Sequence, residues 1–174
     1  MAISVTQPGD VDSKFARDAW LRALAKTAAI GDQGVTLPEL IARLSLEFGA
    51  APALVSTEAS MTYRQMGARC NQYSRWAVSQ GLKSGDTVSL LMANCAEYLP
   101  IWLGLTRIGV VVALINSQLS GNVLAHSINI AYPKCLIAGA DLAPRIAAIR
   151  AQLAPGLACR VLGSSAPEIG RAHV

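Results

Sequence analysis

From position 87 onward, short apolar runs alternate with stretches whose apolar residues recur every three or four positions. The runs 87–92, 110–115, 134–138 and 159–162 are too short for helices and are bounded by turn residues. Each carries apolar side chains on both alternating sets, the pattern of a strand buried on both faces. Between them the spacing predicts helices over 95–108, from Ser120 or Gly121 to about 131, and over 141–153, with Asn94 and Glu97 capping the first and Asp141 the third. The result is a β-α-β-α-β-α-β order, an α/β class with a mostly parallel sheet, helices on both faces and right-handed crossovers.

The first half is less regular. Residues 1–34 read as a leader carrying an amphipathic helix over 15–30, with Phe15, Ala19, Leu24 and Ala28 near one side and Lys14, Arg17, Arg22 and Lys26 on another. A helix starts at Thr36, with Pro38 in its first turn, Glu39 placed for a capping box and Gly49 as its stop. Its apolar stripe is Leu40, Ile41, Leu44 and Phe48. Short strands are expected at 53–56 and 61–63. A second capping box, Thr62 with Gln65, opens a helix whose apolar positions Met66, Cys70, Tyr73 and Ala77 lead to Gly81. Residues 83–86 form a turn in which Gly85 supplies the positive φ.

Composition narrows the class. The 174 residues are 52% hydrophobic and 15% charged, with a mean hydropathy of +0.37. That is too apolar for a disordered chain, and it suits a piece of a larger core or a protein resting on a membrane. A net charge of +4 with dispersed basic residues excludes the clustered cationic face of a nucleic-acid binder. Four cysteines, Cys70, Cys95, Cys135 and Cys159, stand far apart in apolar runs, which predicts reduced, mostly buried thiols in a cytoplasmic protein and no metal site. Residues 1–12 are polar and lack the apolar core of a signal peptide. The apolar stretch 99–115 contains Arg107 near its middle and is punctuated by Pro100, Gly104 and Gly109, so helix, turn and strand describe it better than a membrane span.

Candidate chemistry is sparse. No Gly-x-Gly-x-x-Gly turn follows a strand, and Leu162-Gly163-Ser164-Ser165 has no Lys after it, so neither a dinucleotide turn nor a phosphate loop is present. His126, flanked by Leu124 and Ile128, fits a core or rim position. Asn116, at the carboxyl end of a buried strand, is the one substrate-proximal candidate, because open α/β sheets bind ligands at such ends. The competing reading of Asn116 is a turn residue satisfying backbone groups. No catalytic, cofactor-binding or metal-binding residue is assigned.

Several patches nevertheless resemble the adenylate-forming superfamily of acyl-CoA synthetases. They are Met61-Thr62-Tyr63, Asn71-Gln72-Tyr73-Ser74, Gly81-Leu82-Lys83-Ser84-Gly85-Asp86-Thr87-Val88, Met92-Ala93-Asn94, Glu97-Tyr98, Trp102-Leu103-Gly104-Leu105, Arg107-Ile108-Gly109-Val110 and Ala113-Leu114-Ile115-Asn116. The Glu97-Tyr98, Trp102 to Leu105 and Leu114 to Asn116 patches look most like the fatty-acid transport protein and very-long-chain acyl-CoA synthetase branch, as do Leu119-Ser120-Gly121 and Leu124 to Asn129. The resemblance covers roughly 37–162 and implies the N-terminal part of the adenylate-forming fold, with residues 35–167 a partial AMP-binding domain. It further implies a parent ligase joining a fatty acid to CoA at the expense of ATP, with Mg²⁺, through an acyl-adenylate. In relatives the phosphate loop, adenine motifs and catalytic lysine all lie C-terminal to this region. The 174 residues alone are therefore expected to bind no cofactor productively and to be inactive. A short-chain, aryl or carnitine-type acid ligase is the nearest alternative. A non-enzymatic scaffold binding membrane or a partner, and an unrelated Rossmann-like nucleotide binder, belong to other classes. The expected location is cytoplasmic, with peripheral membrane contact.

Residues 168–174 fit no pattern of that superfamily. One back-translation, gag atc gga aga gca cac gtc, matches the start of a common sequencing adapter apart from its first base, and the next adapter triplet is a stop. This predicts a non-native tail after Pro167.

Overall fold

The computed structural model describes residues 10–31, 34–56, 59–163 and 169–171. The chain forms two units, 1–36 and 37–174. In the first, helix α1 runs from Asp10 to Gly31. Its large apolar side chains, Phe15, Trp20, Leu21 and Leu24, are all exposed. The expected separation of apolar and basic faces is not met: Leu21 and Leu24 stand four and seven residues after Arg17 and so share its side, while Phe15 lies opposite Leu24.

The second unit begins with helix α2 (Leu37–Glu47) and the antiparallel strands β1 (Pro52–Val55) and β2 (Ser60–Thr62). Helix α3 (Tyr63–Ser79) starts where the sequence places it. Thr62 Oγ1 accepts the Gln65 N–H at 3.3 Å, and Gln65 Oε1 accepts the Thr62 N–H at 2.8 Å. After the turn at Gly85 (φ 86°) the chain alternates through β3 (Thr87–Leu91), α4 (Tyr98–Thr106), β4 (Val111–Ile115), α5 (Gly121–Asn129), β5 (Cys135–Gly139), α6 (Ala143–Ile149) and β6 (Ala158–Leu162). The stretch 99–115 thus resolves into helix, a turn at Gly109 (φ 80°) and strand. Among the described residues no helix is long and apolar enough to cross a membrane.

The sheet order is β4-β3-β5-β6-β7, with β7 at Ile169–Arg171 and the first four strands parallel. Alternation along each strand sorts its side chains to two cores. Val88, Leu90, Cys135 and Ile137 pack with Tyr73, Ala77, Ile101 and Leu105 of α3 and α4. Leu91, Leu136 and Ala138 pack with Leu124, Ile128, Ile146 and Ile149 of α5 and α6. Cover on both faces holds for β3 and β5 but not for the outermost strand β4, where Val111 and Leu114 are exposed. The short β7 (Ile169–Arg171), within the segment expected to be non-native, pairs antiparallel with β6. Such pairing uses backbone groups that any sequence carries.

One polar atom in the core stands out. Ser89 on β3 is fully buried and its Oγ has no hydrogen-bond partner. Desolvating a hydroxyl without a partner costs free energy that an apolar replacement does not. Ser89→Ala is therefore expected to raise stability by about 1 kcal/mol in urea unfolding. A loss of stability instead would mean that the hydroxyl is satisfied in solution.

Candidate functional site

Between the carboxyl ends of β3 and β5 the connections diverge. β3 leads to α4 on one face of the sheet, whereas β5 leads to α6 on the other. A parted pair of loops of this kind leaves a crevice at the strand ends, the usual ligand position in open α/β sheets. The crevice here measures about 580 Å³. Its walls are the loop after β3 (Met92, Asn94 to Glu97), the turn after β5 (Gly139 to Asp141) and the end of β6 at Leu162 and Gly163. Gly139 keeps the turn bare, since a Cβ there would stand 2.5 Å from Asp141 Oδ1.

Glu97 fixes one wall. Arg69 of α3 donates from Nε to both carboxylate oxygens, at 3.0 and 3.1 Å, and its Nη2 lies 2.8 Å from Oε1. The Tyr73 hydroxyl donates to Oε2 at 2.7 Å and accepts from Arg69 Nη2 at 3.2 Å. The guanidinium also sits over the Tyr73 ring, 5.3 Å from its centroid. Burial, and then the adjacent Glu97 carboxylate, hold the Tyr73 phenol well above its ordinary value, so it stays a neutral donor.

This arrangement overturns the expected cap of α4. Glu97 makes no side-chain cap bond, and the helix starts at Tyr98 rather than 95, because the carboxylate is taken by Arg69 and Tyr73. Asp141 caps no helix either. It lies in a 3-10 turn (Ala140–Leu142), and α6 begins at Ala143, with Pro144 suited to its first turn.

Asn116 lies at the carboxyl end of β4, but β4 is the outermost strand and Asn116 does not line the crevice. Its Oδ1 accepts the Gln118 N–H at 2.9 Å and its carbonyl accepts the Leu119 N–H at 3.2 Å, a turn residue by geometry. His126 is exposed on α5, away from the crevice. All four cysteines are free. Cys70 and Cys135 are buried and Cys159 half-buried, whereas Cys95 is exposed in the crevice wall, against expectation. Among the described residues no three His, Cys, Asp or Glu converge on a metal position. Among the described residues, the crevice side chains offer two carboxylates, an amide, a hydroxyl and a thiol, and none is Lys or Arg. Sequence reasoning missed Arg69 and Tyr73 as the partners of Glu97. Their four-residue spacing on α3 is the available sign, but the helical stripe by itself places Tyr73 only in the core.

The fold and the crevice define an open α/β domain with a mostly parallel sheet, and comparison narrows it. The family described as "AMP-binding enzyme" matches residues 43–169, and the chain belongs to it. Human long-chain fatty acid transport protein 6 is 32% identical over 108 residues, covering 62% of this chain and 17% of that protein. Long-chain-fatty-acid–CoA ligase FadD13 of Mycobacterium tuberculosis is 37% identical over 100 residues, covering 58% of this chain and 20% of that one. Among solved structures, the N-terminal domain of FACL13 from Mycobacterium tuberculosis superposes with a TM-score of 0.68 at 27% identity, covering 80% of this chain and 38% of that one. The chain thus spans about a fifth of the length of these two curated relatives.

Proposed function

We propose that this chain is the N-terminal part of an acyl-CoA synthetase acting on a fatty acid. The observation that carries the reading is the family match over 43–169 together with relatives that are fatty-acid–CoA ligases and fatty acid transport proteins. In the reaction a carboxylate oxygen attacks the α-phosphorus of ATP and pyrophosphate leaves. The sulfur of CoA then attacks the acyl carbon and AMP leaves. Negative charge builds on phosphate oxygens, and such charge is stabilised by cations and aimed donors. Among the described residues the crevice is lined by carboxylates and by no Lys or Arg, so none of them is assigned that stabilising role. Among the described residues no three His, Cys, Asp or Glu converge to hold Mg²⁺. What the described residues supply is a wall held in place by Arg69, Glu97 and Tyr73. The assembled protein is cytoplasmic and touches membrane peripherally, and its salt-sensitive flotation with anionic vesicles checks that placement.

The test is exchange of labelled pyrophosphate into ATP by the product of the complete source gene, with and without palmitate. Palmitate-dependent exchange and CoA-dependent palmitoyl-CoA formation are expected. The 174-residue chain alone should show neither. A complete protein without acid-dependent exchange sinks the ligase reading, and exchange by the chain alone would show that its crevice does hold the triphosphate.

A further inference from the structure

Strand β4 closes the sheet on one side, and nothing in its sequence defends that edge. Its five residues pair with β3 in unbroken parallel register, without a bulge, and 110–116 contain no charged residue and no proline. Charged side chains, proline and bulges are the usual means of keeping an edge strand from pairing. Val111 and Leu114 are 54% and 44% exposed, and Val112 and Ala113 are half-buried. The backbone is open as well. Val111 donates its N–H inward, to the Asp86 carbonyl at 2.8 Å. The polar groups of successive residues point to opposite sides of a strand, so Val112 and Leu114 turn theirs away from β3. Among the described residues neither has a backbone partner on that side.

Two outward-facing residues on either side of an alanine are what this edge needs to pair with itself about a two-fold axis. We propose that β4 pairs antiparallel with β4 of a second copy of this chain, with the axis at Ala113. Val112 then faces the second copy's Leu114, and Leu114 faces its Val112, each pair exchanging both N–H···O bonds. Ala113 meets its own counterpart in the non-hydrogen-bonded pair between them. There Cα atoms come to about 4.5 Å, and a small side chain fits. Val111 meets Ile115, so every pair is apolar and no charge is buried or opposed. Any strand could supply the backbone bonds, but the small residue at the axis with apolar residues matched around it favours a second copy. Isologous pairing uses up the β4 edge of both chains, so association stops at two. Five residues a side, against roughly 20–30 in a standard interface, make the dimer weak and concentration-dependent. The inference does not depend on the ligase reading.

The test is analytical ultracentrifugation of the 174-residue chain from about 5 to 500 µM, the range in which small interfaces dissociate. Reducing buffer keeps the exposed Cys95 from linking chains. The apparent mass should climb toward twice that of the monomer and no further. Leu114→Lys places a charge at an exposed position of the edge and should remain a monomer throughout. Cross-linking then reads the register. In a Cys95→Ser chain, Ala113→Cys should oxidise to a linked dimer, because its counterpart lies within disulfide reach. Val111→Cys should not link, since its counterpart lies four residues along the paired strand, about 14 Å away. A monomer at every concentration, a dimer that Leu114→Lys leaves unchanged, or growth beyond two would overturn the proposal. So would linkage at Val111→Cys as ready as at Ala113→Cys. Should Leu114→Lys fail to fold by circular dichroism, the two cysteine variants decide the matter.

Discussion

Gly104→Val is expected to destabilise the second unit by about 3 kcal/mol or more, the largest effect of any single change considered for this chain. Gly104 faces α3 from the last turn of α4, and a Cβ there would stand 2.5 Å from the Cys70 carbonyl oxygen and 2.9 Å from Tyr73 Cβ. Neither neighbour can yield cheaply. The first is helix backbone, and the second belongs to a side chain only 3% exposed. The close approach also makes a bond that a wider spacing would break: Ser74 Oγ, itself buried, donates to the Gly104 carbonyl at 2.7 Å. Valine would thus force the helices apart, break the cross-helix bond of Ser74, leaving its hydroxyl only the Cys70 carbonyl at 3.0 Å, and loosen the core formed by Tyr73, Ile101 and Leu105 over β3. Against a total stability of about 5–15 kcal/mol, a loss of this size should appear as a large drop in urea midpoint and in thermal midpoint by circular dichroism. A Gly104→Val chain melting within a degree or two of the parent would mean that α3 and α4 do not pack this closely in solution.

Much of this packing was legible beforehand because local chemistry and tertiary need agree there. The mainly apolar runs became the parallel strands, since a strand covered on both faces, as β3 and β5 are, has few positions that favour a polar residue. The Thr62 and Gln65 box and the Gly85 turn formed as expected, each being complete within a few residues. The same reasoning failed for Asn94 with Glu97. The spacing suits a cap, but a carboxylate within reach of Arg69 and Tyr73 gains more from a two-oxygen guanidinium contact than from one backbone N–H. No local pattern announces a partner 28 residues away.

The crevice was illegible for a different reason. A sequence gives the order of strands along the chain but not their order across the sheet. Asn116 follows a strand with the apolar pattern of a buried one, and it does follow β4. Open α/β sheets bind ligands where neighbouring connections part to opposite faces, and here the connections part between β3 and β5 because the chain crosses back over β3 after forming β4. The strand holding Asn116 is thereby left at the edge, and its side chain closes a turn. The exposure of Val111 and Leu114 follows from the same fact, since an edge strand can be apolar along its length and still lack cover.

Glu97→Ala should be the second most damaging change, costing about 2–3 kcal/mol, somewhat less than the 3–5 kcal/mol of breaking a fully buried pair. The Glu97 and Arg69 side chains are 24% and 15% exposed, so solvent relieves part of the loss. Alanine leaves Arg69 with Gln72 Oε1 at 2.6 Å and the Tyr73 hydroxyl, but without a counter-charge, and takes away the oxygen to which Tyr73 donates. Glu97→Gln should cost about half as much, because one amide oxygen can still accept from Tyr73 while the amide nitrogen opposes Arg69. The distinguishing measurement is local. Residues 93–97 are tied to α3 through this carboxylate, and its removal should speed amide hydrogen exchange there well beyond what the global loss of stability produces. Uniform acceleration across the sheet, with no excess in 93–97, would reduce Glu97 to a packing residue. A local excess would make the Arg69, Tyr73 and Glu97 cluster the device that sets one wall of the crevice, with α3 serving as the rigid support for a loop that has few partners of its own.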